Sequence, residues 1–95
     1  MELAATSTEY IHIPVTPPTG VSLASNPVQI AIVAHSSNPA TGEWRAATWD
    51  DDTARILVGP AGGALTLAPG TYWTWITWTA GQEVPVYRAG RIRIY

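Results

Sequence analysis

The chain has 95 residues, a formal net charge of −2, five arginines, five tryptophans, and no lysine, cysteine or phenylalanine. That length makes one domain with a thin core, in which folding hides about two thirds of the unfolded chain's surface. Without cysteine there is no disulfide framework or thiol nucleophile, without lysine no Walker-type phosphate loop or Schiff base, and the near balance of charge leaves no footprint for nucleic acid or an anionic membrane.

Thr, Val and Ile account for 27 residues and Trp plus Tyr for nine, a composition suited to a pleated, half-buried surface. Gly and Pro recur at short intervals, and no window free of them carries a helical apolar period. Residues 9–15 (EYIHIPV) alternate, with Ile11, Ile13 and Val15 on one face and Tyr10, His12 and Pro14 on the other. Pro14 lacks an amide hydrogen and marks a sheet edge. Residues 1–8 ahead of this strand are a candidate N-terminal arm. Turn formers fill 16–27, including Pro17-Pro18 and Asn26-Pro27. Residues 28–34 read as a buried strand with Val28, Ile30, Ile32 and Ala34 on one face, while Ala31 and Val33 make the other face partly apolar. A turn at 36–42 leads to a strand over 43–49, the run Asp50-Asp51-Asp52, and a strand over 53–58 with Ala54, Ile56 and Val58 inward. A flexible loop at 59–64 precedes a short strand at Leu65–Leu67.

The strand at 71–79 (TYWTWITWT) sets Tyr72, Thr74, Ile76 and Trp78 against Trp73, Trp75, Thr77 and Thr79. After a turn at Gly81-Gln82, segments 83–88 and 91–95 form the last strand or pair, broken at Gly90, with Ile92 and Ile94 inward and Arg91, Arg93 and Tyr95 outward. Seven or eight short strands at this spacing predict a single all-β domain, an immunoglobulin-like antiparallel β-sandwich. No run is long enough to span a membrane as a helix, and the start Met-Glu-Leu-Ala lacks the basic residues of a signal peptide.

Few constellations could carry chemistry. Asp50, Asp51 and Asp52 offer oxygen ligands to a hard cation such as calcium, but no Asp-x-Asp-x-Asp-Gly spacing follows, and a solvated turn is the plainer reading. His12 and His35 are the only histidines. Ser36 and Ser37 adjoin His35, yet Gly-x-Ser-x-Gly is absent and no third orienting group is evident. Two unrelated histidines fall short of a metal site. Residues 59–63 (GPAGG) lack the Gly-Lys-Ser/Thr ending of a phosphate loop. No catalytic set, cofactor or metal is therefore expected.

The aromatic and arginine pattern is the stronger signal, because 71–79 carries large rings on both faces. If it pairs antiparallel with the C-terminal strand, Trp73 and Trp75 lie beside Arg91 and Arg93 on the outer face, where guanidinium stacks on indole. Such a patch serves as a protein interface, as a tryptophan pair solubilised by arginine stems, or as a platform for sugar rings. Tyr10 with the arm 1–8 is a second candidate contact patch. Truncation of Trp75 to alanine is expected to weaken docking and leave the isolated fold intact.

The stretches STEYIHIPV (7–15), EWRAATW (43–49) leading into the Asp-rich turn, ARILVGP (54–60), LAPGTYWTWI (67–76) and EVPVYRAGRIRI (83–94) cover most of the chain. In them the sequence resembles small all-β virion structural proteins of tailed bacteriophages of high-GC (actinobacterial) hosts, a coding bias that arginine without lysine also fits. The resemblance implies a non-enzymatic β-sandwich that docks on other virion proteins, capsid or connector subunits, in the head or neck, as capsid decoration or head–tail connection. It would be made in the host cytoplasm, carried in the virion, and free to form a homo-oligomer in the assembly. A tail or baseplate component and a carbohydrate-binding module are the alternatives.

Overall fold

The computed structural model describes residues 1–16 and 26–95; the expected turn at Pro17-Pro18 lies outside them. Among these residues seven strands follow in chain order: β1 (Glu2–Leu3), β2 (Glu9–Pro14), β3 (Val28–Val33), β4 (Trp44–Asp50), β5 (Thr53–Val58), β6 (Gly70–Trp78) and β7 (Val86–Ile94), with a 3-10 turn at Thr41–Glu43 before β4. They form one sheet in the order β1-β7-β6-β3-β4-β5-β2, curled into a half-barrel. The fold is all-β and sandwich-like. Every pairing is antiparallel except β1 on β7, which runs parallel; the sheet is therefore mixed rather than wholly antiparallel.

The two halves of the sandwich are continuous through β4. Its first residues, Trp44 to Ala47, pair with β3, and its last, Thr48 to Asp50, pair with β5. A strand that changes partners along its length turns the corner between two packed layers. The alternation of each strand then points one side chain in two at a common core. Ile11 and Ile13 of β2 and Ala54, Ile56 and Val58 of β5 meet Val28, Ile30 and Ile32 of β3, Ile76 of β6, and Ile92 and Ile94 of β7.

Several local expectations need correction. Residues 1–8 do not form a free arm: Leu3 is part of the core, the Ala5 N–H donates to the Tyr95 carbonyl, and Thr8 Oγ1 accepts from the Ala61 N–H at 2.9 Å. Leu65–Leu67 is no strand but a single parallel bridge, Leu65 to Val58, with Leu67 buried beneath it. The glycine loop after β5 is packed rather than loose, because Gly63 and Gly59 approach backbone to backbone and Gly59 lies against Ser7 and Thr8. Val86–Arg88 and Arg91–Ile94 belong to one strand, β7, whose irregularity beside Gly90 is a bulge and not a break, while Glu83 only bridges Ala80 ahead of it. Ala34 is exposed, one residue beyond the end of β3.

Candidate functional site

Beneath the convex face of the sheet lies a second, smaller apolar cluster. It forms because β3 and β6 are apolar on both sides. Register places Ala31 between Trp44 of β4 and Trp75 of β6, and Val33 beside Trp73. Ala31, Val33 and Trp75 are 0%, 4% and 7% exposed, with half-buried Trp44 and Trp73 packed on them. No further layer of backbone covers this cluster among the described residues. Arginine side chains stack on two of its rings.

Those arginines come from β7, and a bulge decides which. Thr74 faces Gly90 and Trp75 faces Arg88, so Ala89 is the extra residue of the strand. An extra residue reverses the in–out parity beyond it. Arg88 and Arg91, three apart in sequence, consequently share the convex face. The Arg88 guanidinium lies 4.7 Å from the Trp73 ring centre and 5.8 Å from that of Trp75, and Arg91 lies 5.4 Å from Trp73. Each stack is worth about 0.5–1 kcal/mol at an exposed site. Both arginines are exposed, and neither has an ion-pair partner among the described residues.

Of the four residues expected on this face, the structure thus brings together Trp73, Trp75 and Arg91 and adds Trp44 and Arg88. Arg93 is not part of the stack. It stands opposite Thr71, beyond the tryptophans, and pairs with Glu2 at 3.2 Å. Trp75 is not an exposed ring but the floor of the cluster, so its truncation to alanine would not leave the fold intact. The signal for Arg88 was Gly90 within a strand pattern, a frequent mark of a bulge.

The remaining candidates lie apart. Tyr10 is on the outer side of β2, 43% exposed, with the Arg55 guanidinium 4.5 Å above its ring and His12 beside it. Asp51 and Asp52 form the two-residue turn between β4 and β5, with Asp51 at φ 59°, and all three aspartates are exposed. No three His, Cys, Asp or Glu side chains come together to hold a metal ion among the described residues. His35 Nε2 meets the Glu43 carboxylate at 3.1 Å rather than a serine. The Glu43 carboxyl is held below its ordinary value, first by accepting the Ala40 N–H at 2.8 Å and then by His35.

The curled sheet does not close, and a cleft of about 690 Å³ lies between β2 and β7, lined by Ile11 and Ile13 on one side and Ile76, Trp78 and Tyr87 on the other. Among the described residues both flanking strands present a free edge to it: β2 pairs only with β5, and β7 pairs on its outer side with β1 at Arg93 and Ile94 alone.

Comparison of the chain with protein-family models, with curated proteins and with solved structures gave no match.

Proposed function

We propose that this protein is a non-enzymatic docking module, a structural component of a tailed-bacteriophage particle that binds a neighbouring head or neck protein through its convex Trp–Arg face. The observation that carries the docking role is the cluster of Trp44, Trp73 and Trp75 on the outside of the sheet, topped by two arginines that have no ion-pair partner among the described residues. Tryptophan and arginine dominate the energetic centres of protein interfaces, and a charged rim over a dry apolar floor is their common arrangement. The virion setting rests on the resemblance of the stretches quoted above to phage structural proteins.

Sugar binding on this face is the weaker reading. A pyranose ring needs a bare indole, and both Arg88 and Arg91 lie over Trp73. The test is assembly of particles with the double variant Arg88→Glu, Arg91→Glu, in which both changed positions are exposed. Incorporation is expected to fall at least tenfold while thermal unfolding of the isolated protein stays close to wild type. Normal incorporation, or binding of a host polysaccharide that the double variant retains, would overturn the proposal.

A further inference from the structure

The edge of β7 from Val86 to Arg91 has, among the described residues, no strand beside it. At the far end of the same edge β1 shows what such a partner looks like. The Arg93 N–H donates to the Met1 carbonyl at 2.9 Å and the Tyr95 N–H to the Leu3 carbonyl at 3.1 Å. Glu2 stands opposite Arg93 and pairs with it, while Leu3 turns inward beside Ile94 at 4% exposure. An acidic residue therefore meets arginine on the convex side and an apolar one enters the core on the concave side, along an extended backbone.

The vacant part of the edge repeats this environment. Arg91 and Arg88 occupy the convex side as Arg93 does, but no carboxylate among the described residues pairs with them. Stacking on Trp73 holds their guanidinium groups in place, and a guanidinium over a ring keeps in-plane N–H donors for a carboxylate. On the concave side, Tyr87 at 58% exposure borders the cleft. Six residues of free edge, one of them the bulged Ala89, offer about five pairing positions over roughly 17 Å, enough for a strand of ordinary length.

We propose that this edge takes an extended strand of a partner protein in which acidic residues alternate with apolar ones, the acids facing Arg88 and Arg91 and the apolar residues entering the cleft. The proposal rests on the docking role above and names the chemistry of the partner. Main-chain hydrogen bonds would supply affinity and alternate side chains specificity. Two copies of this chain paired β7 to β7 would set arginine against arginine, which disfavours a second copy as the occupant. The β2 edge is the poorer template, because Pro14 interrupts its ladder.

The test uses the full chain and two capped hexapeptides, one alternating glutamate with valine and one alternating lysine with valine, read by amide hydrogen exchange. The glutamate peptide is expected to slow exchange within 86–91 at least fivefold, the lysine peptide to leave it unchanged, and Arg88→Glu with Arg91→Glu to reverse the preference. Equal slowing by both peptides, slowing confined to other strands, or no effect of either at millimolar concentration would overturn it. So would self-association of the free protein that protects the same amides. If the double variant fails to enter particles but the glutamate peptide leaves β7 unchanged, the docking face stands and the strand does not. If the peptide binds as expected and the double variant enters particles normally, the edge site stands and the docking role fails.

Discussion

Trp75 is the one tryptophan of the five that is buried, and its indole Nε1 has no hydrogen-bond partner among the described residues. An unpaired buried donor costs about 1–3 kcal/mol, while truncating a buried aromatic ring costs about 3–5 kcal/mol. Trp75→Ala should therefore lower stability by about 3–5 kcal/mol in urea denaturation. Trp75→Phe should stay within about 1 kcal/mol of wild type, because the lost ring area is offset by removal of the orphan N–H. Gly59 is demanding in another way. At φ 139° a side chain there would overlap the Ser7 carbonyl oxygen and the Thr8 backbone. Gly59→Ala is expected to cost about 3 kcal/mol, read from the same denaturation curves, since backbone on both sides must move. Neither residue announces its role in the sequence. Burial of Trp75 depends on Ala31 and Val33 arriving beneath it from β3, and the restriction at Gly59 on contact with a segment 52 positions earlier.

Among the elements, the inward faces of β2 and β5 were legible because a period of two leaves no ambiguity where one face is buried. Pro14 likewise placed β2 at an edge. The β7 bulge was not legible in its consequence, since one extra residue changes which arginines share a face. Gly90 sits in it at φ 156°, with no heavy atom within 4 Å of where a Cβ would be. Gly90→Ala should then cost only the backbone term, about 1–2 kcal/mol by chemical denaturation. β1 was missed because two residues are too short to show any alternation. The turn before β4 makes a prediction in pH. The Glu43 carboxyl is depressed below 4.5 by the Ala40 N–H and then by His35, so the stability it contributes is present above that value and lost as pH falls through the lower, folded one. Wild type should be more stable than Glu43→Gln above about pH 5, and the difference should fade below 4.5. A difference independent of pH would contradict this account of the turn.

For the whole molecule, curling without closure is the property that matters. A closed barrel abolishes its edges, whereas this half-barrel keeps two among the described residues, and it carries on the convex face a second apolar cluster whose Trp73 and Trp75 lie under arginine. The surplus of aromatic residues on β6 was legible as a surface that needs covering. The cleft was not, because it depends on how far the sheet turns at β4, a quantity with no local sequence signal. Docking through the convex Trp–Arg face and the adjoining β7 edge is the central claim, and amide hydrogen exchange of the protein free and in assembled particles tests it most directly. The account predicts strong protection of residues 86–91 on assembly, with Tyr10 and the rest of β2 changed little; protection confined to β2, with 86–91 exchanging as in the free protein, would contradict it.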